Sequence, residues 1–103
     1  MKQFSNVEEL AAYIEQQPLC LLFIKTADCG VCDVMLEKIM RLLELYPNVE
    51  KIVVSLEDMR EISAKYLVLT APTVLLFHGG KEIVRESRFI SLENINRILQ
   101  MVE

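Results

Sequence analysis

A chain of 103 residues fits one domain spanning 1–103 and leaves no room for a second. Its hydrophobic fraction of 52% is ample for a core, and 25% charged residues of mixed sign exclude a disordered chain. A net charge of -4 without a Lys/Arg cluster speaks against nucleic acid as a partner.

The N-terminus, Met1 to Asn6, turns polar after one lysine and lacks the apolar stretch and cleavage site of a signal peptide. Ser5 followed by Glu8 has the form of a capping box. Val7, Leu10, Ala11 and Ile14 then recur at helical spacing, so the pattern predicts a helix over 6–16, stopped by Gln17-Pro18. Leu19 to Lys25 is an apolar run of strand length that reads as a strand buried on both faces. It contains the longest apolar stretch of the chain, Leu19 to Ile24, far short of the ~20 residues that span a bilayer. No membrane partner is expected, and the expected location is cytoplasmic. A mature exported form is the alternative.

Cys29-Gly30-Val31-Cys32 follows that strand and opens a helical pattern reaching about Tyr46. The apolar stripe runs through Cys32, Met35, Leu36, Ile39, Leu42, Leu43 and Tyr46. Lys51 to Leu56 reads as a second buried strand, parallel to the first across a right-handed crossover. A shorter helix is expected over 58–66, opened by Glu57-Asp58, whose carboxylates suit a helix N-terminus. Thr73–His78 and Glu82–Ser87, joined by Gly79-Gly80, predict an antiparallel hairpin. Leu92, Ile95, Leu99 and Val102 mark a last helix over 92–102. The expected fold class is α/β, a mixed sheet of four or five strands flanked by helices on both faces.

Two cysteines at i and i+3 on a helix start lie within disulfide reach of each other. The free N–H groups and positive end of the helix favour a thiolate there. Cys32 belongs to the buried stripe, whereas Cys29 precedes the helix at the tip of the turn. That layout suits thiol–disulfide exchange, with Cys29 attacking and Cys32 resolving the mixed disulfide. The competing reading is half of a zinc site. It needs about four ligands, and the only further candidates are Cys20, mid-strand, and His78, in the hairpin. Cys20 reads instead as a small buried hydrophobe and His78 as a solvated turn residue.

Over nearly its full length the sequence resembles the thioredoxin family. Cys29-Gly30-Val31-Cys32 is similar to the family's CGPC after a hydrophobic strand. Ala71-Pro72-Thr73 stands where the family has its cis-proline. Val74 to Lys81 looks like the family's hairpin, and Lys65-Tyr66 ahead of the proline loop also matches. The resemblance implies a thioredoxin fold and a protein disulfide oxidoreductase with Cys29 and Cys32 as catalytic residues and Gly30 and Val31 between them. It implies that Pro72 is cis and lies against the cysteine pair, with Ala71 and Pro72 binding the substrate chain as an added strand. Protein disulfides are then the substrates, a separate reductase the electron donor, and no cofactor is expected.

Departures from the family are as specific. Phe23 occupies the position of the family's buried Asp, and Val53 that of its partner lysine. Asp28 replaces the Trp before the first cysteine, Val31 the motif proline, and Arg88-Phe89 the glycine before the last helix. With no carboxylate to accept the proton of Cys32, slower resolution is expected. Asp28 opposes a thiolate at Cys29, and Lys25 is the candidate to offset it. A redox-sensing or protein-binding module without efficient turnover is the rival reading. A structural subunit of a larger assembly is another.

Overall fold

Asn6, in extended backbone, accepts the Glu9 N–H on its side chain at 2.8 Å and caps α1 (Val7–Gln16). The computed structural model describes residues 3–103. Met1 and Lys2, where the reading of a polar N-terminus began, lie outside them. Asn6 therefore takes the role expected of Ser5. Both residues are good caps, but only Asn6 directly precedes the helical backbone.

From α1 the chain runs through β1 (Leu19–Lys25), α2 (Gly30–Leu43), β2 (Glu50–Ser55), α3 (Glu61–Tyr66), β3 (Thr73–His78), β4 (Lys81–Ser87) and α4 (Leu92–Val102). The four strands form one mixed sheet in the order β2-β1-β3-β4. β1 pairs parallel with β2 and antiparallel with β3, and β3 pairs antiparallel with β4. The β3–β4 turn needs its glycines: Gly79 and Gly80 have φ of +59 and +82, and a Cβ on Gly80 would sit 3.2 Å from the Glu15 Cα.

Three expectations are corrected. β2 lies at the sheet edge among the described residues, and only Ile52 in it is fully buried. Its Ile-Val-Val run reads like a central strand because Ile52 and Val54 pack on one face of the sheet and Val53 on the other. α2 ends at Leu43, because Glu44, Leu45 and Tyr46 bond back three residues in a tighter turn. Tyr46 is still buried there, and its hydroxyl bonds to Asn96 of α4. α3 starts at Glu61, so Glu57 and Asp58 lie in the preceding turn rather than on the helix.

The period-2 alternation of β1 divides the interior in two. Leu19, Leu21 and Phe23 join Val74, Leu76 and Val84 beneath α2 and α4, and Cys32 belongs to this cluster. Cys20, Leu22 and Ile24 join Leu75 and Phe77 beneath α1 and α3. The sheet thus separates Cys20 from the cysteine pair.

Candidate functional site

β1 ends at Lys25, and three residues later Asp28 turns the chain with φ 54, a left-handed conformation that Asp tolerates better than most residues. Cys29 follows as the N-cap of α2. Its Sγ accepts the Cys32 backbone N–H at 3.1 Å, the interaction by which a helix start holds negative charge on sulfur. Cys29 and Cys32 are joined as a disulfide with Cα atoms 5.2 Å apart. Cys29 is half-buried and Cys32 fully buried, which matches the stripe read from the sequence. Gly30 is exposed and a Cβ there would meet nothing within 4 Å, while Val31 is 62% exposed, so the approach to the pair is open.

The other side of the site comes from β3. Ile24 of β1 stands opposite Thr73, which brings the segment before β3 alongside the turn carrying Cys29. The Ala71–Pro72 bond is cis. Pro72 is buried, and Ala71 packs on the same cluster as Cys29 and Cys32. Thr73, fully buried, ties the loop together: its hydroxyl donates to the Thr70 carbonyl at 2.7 Å and lies 3.1 Å from the Ser87 hydroxyl. The Arg88 N–H donates to the Pro72 carbonyl at 2.8 Å. Arg88, with φ 63, then turns Phe89 outward, where it is 90% exposed.

Beneath the pair the surroundings are apolar. Phe23 and Val53 are direct register partners across β1 and β2, and both belong to the cluster that holds Cys32. Among the described residues Thr73 is the only buried polar or charged one, so no carboxylate is buried beneath the pair. The two positions where the family has an acid and a base are therefore neighbours here, replaced together by packing residues.

Charge sits at the rim. Lys25 Nζ stands 3.7 Å from Asp33 Oδ1 on the first turn of α2, so its ion pair is with Asp33. Glu57 is a residue that the sequence reading assigned to a helix start. Its carboxylate instead accepts from the Ala27 backbone N–H at 2.6 Å and the Ser55 hydroxyl at 2.7 Å. These bonds, to Ser55 first and Ala27 next, with Lys25 nearby, hold its pKa below the usual carboxylate range. The signal was in the pairing: Lys25 opposite Ser55 in parallel strands puts Ala27 beside Glu57. His78 is exposed at the far end of β3 from Pro72, and Cys20 is a free buried thiol across the sheet. Among the described residues no group of three His, Cys, Asp or Glu is placed to hold a metal ion. No helix among them is long and apolar enough to cross a membrane.

A disulfide at the N-terminus of the helix after a central strand, with a cis-proline directly before the antiparallel neighbour strand, is the arrangement of the redox centre of the thioredoxin fold. Comparison with known proteins agrees. A crystal structure of a thioredoxin-like protein from Bacillus cereus is 58% identical over 92% of this chain and 100% of that chain, with a TM-score of 0.75. The thioredoxin-like protein YdfQ of Bacillus subtilis is 29% identical over 99% of this chain and 94% of its own length. Thioredoxin from Fasciola hepatica shares the fold at a TM-score of 0.83 and 24% identity, with both chains covered in full. No family profile matches the chain. The chain belongs to the thioredoxin-like proteins, and its general chemistry is thiol–disulfide oxidoreduction.

Proposed function

We propose that this protein reduces protein disulfides in the cytoplasm, with Cys29 as the attacking thiol and Cys32 as the resolving one. The observation that carries the reading is the asymmetry of the pair: a half-buried Cys29 on the helix N-cap, bonded to a Cys32 that is wholly buried. The Cys29 thiolate attacks one sulfur of the substrate disulfide, forming a mixed disulfide and releasing the other sulfur as a thiolate that takes a proton. Cys32, deprotonated, then attacks the Cys29 sulfur and releases the second substrate thiol. The product is the Cys29–Cys32 disulfide, and a partner reductase returns two electrons and two protons to it. No cofactor enters these steps.

The substrate chain fits beside Ala71, whose backbone precedes a buried, fixed Pro72, with Gly30 and Val31 on the opposite rim. Exposed Val31, between the two cysteines, supplies apolar contact to the substrate, and exposed Phe89 follows the residue whose N–H bonds to Pro72. Turnover with an insulin-type protein disulfide tests the enzyme reading directly. Replacing Cys32 by Ser should trap mixed disulfides on Cys29, and replacing Cys29 by Ser should trap none. Equal trapping by both variants overturns the assignment of roles.

One observation favours a second reading, a redox-sensing or protein-binding module that turns over slowly. Phe23 and Val53 leave Cys32 without a buried proton acceptor. Trapping by the Cys32→Ser protein together with absent wild-type turnover would select that reading.

A further inference from the structure

Glu57 is exposed, and its carboxylate is hydrogen-bonded to the turn that carries the cysteines rather than to the cysteines themselves. It spans from Ser55, the last residue of β2, to Ala27, in the middle of the turn between β1 and α2. Lys25, Ala27, Ser55, Glu57 and Asp58 line one shallow groove at this end of the sheet. The next residue after Ala27 is Asp28, in the left-handed region with φ 54, and the one after that is Cys29. The conformation costs free energy even for Asp, which tolerates it better than most residues, and neighbouring contacts help to hold it. In this turn the side-chain contact to the backbone is the Glu57–Ala27 bond, and the N–H group it engages is one the turn leaves without a backbone partner.

We propose that Glu57 is a positioning residue for Cys29. By fixing Ala27 it sets the Asp28 turn, and that turn sets Cys29 on the N-cap of α2, where its sulfur receives the Cys32 N–H. The inference rests on the reading of Cys29 as the attacking thiol. Its chemistry makes the effect separable from simple charge. A carboxylate near a thiol raises the thiol pKa, so deleting Glu57 by charge alone lowers the Cys29 pKa. Loosening the turn acts the other way, because a sulfur that drifts from the helix N-terminus loses the N–H that stabilises its thiolate. The other charges facing the turn, Lys25, Asp28, Asp33 and Asp58, are unchanged in either case.

The test is the pH dependence of iodoacetamide alkylation of Cys29 in the fully reduced chain, with the labelled peptide identified by mass. Glu57→Ala is expected to raise the Cys29 pKa and slow its alkylation at pH 7 by roughly threefold. Glu57→Gln keeps an acceptor for Ala27 and removes only the charge, so its Cys29 pKa is expected at or slightly below the wild-type value. A Cys29 pKa that falls or stays fixed in Glu57→Ala overturns the inference, as does a Gln variant that behaves like Ala. Should wild-type Cys29 itself titrate and react like a free cysteine, the reading of Cys29 as the attacking thiol fails first and removes the basis of this one.

Discussion

Phe23 and Val53 are one substitution in two places. They face each other across β1 and β2 and share the cluster under Cys32, so an acid alone at either position would be a buried charge without a partner. Phe23→Asp should therefore destabilise the protein by several kcal/mol, and adding Val53→Lys should recover part of the loss. In the double variant the carboxylate lies in the cluster of Cys32. Resolution of a mixed disulfide should be at least about tenfold faster than in wild type, a fraction of the two to four orders of magnitude a general base can supply. Stopped-flow resolution with a preformed mixed disulfide measures it, and an unchanged rate would mean the missing base is not limiting. Cys20 gives a second residue-level expectation. Burial first and Glu50 second push its thiol pKa up to about 12. The native state thus keeps a proton that the unfolded chain releases above the ordinary thiol range, and stability present at neutral pH is lost as the pH rises toward 12. In the oxidised protein, Cys20→Ala should make the fall of unfolding free energy over that window shallower by about 1.4 kcal/mol per pH unit. Urea unfolding at a series of alkaline pH values reads the slope, and an unaltered slope would assign the alkaline loss to Tyr66 and Tyr13 instead.

At the scale of elements, the caps decide where helices begin. Asn6→Ala should cost about 1 kcal/mol, whereas Ser5→Ala should stay within ~0.5 kcal/mol. Equal losses would return the capping role to Ser5. β1, the β3–β4 hairpin and α4 were legible because their apolar periods and Gly-Gly turn are local signals. The cysteine pair was legible because strand, turn and helix follow one another without a break. The edge position of β2 was not, since strand order is a property of the whole sheet and Ile52-Val53-Val54 reads the same at edge or centre. Nor were the partners of Lys25 and Glu57. Which neighbour a long side chain reaches depends on register and direction, and Lys25 turned to Asp33 while Glu57 reached back across two strand ends to Ala27. A carboxylate at the opening of an expected helix was assigned to the helix dipole because nothing local distinguishes that role from a bond across the sheet.

The molecule as a whole has two interiors divided by one sheet, and only one of them touches the chemistry. Leu99 of α4 and Leu10 of α1 are both fully buried, the first in the cluster of Cys32 and the second in that of Cys20. Each replaced by Ala should lose about 2–5 kcal/mol through the lost contacts and the cavity left behind. With the sheet between them they share no partner, so the double variant should equal the sum within about 0.5 kcal/mol. Their effects on the reduced pair should differ. Cys32 is shielded by its cluster, and a cavity at Leu99 lets it open locally without global unfolding. The alkylation of Cys32 in Leu99→Ala should then exceed what the loss of global stability alone explains, while in Leu10→Ala it should match that loss. Denaturant curves give the stabilities, and alkylation timed in native buffer gives the exposure. If both variants expose Cys32 in proportion to their stability, the two clusters behave as one core, and the burial that separates Cys32 from Cys29 belongs to the fold as a whole rather than to the α2–α4 face.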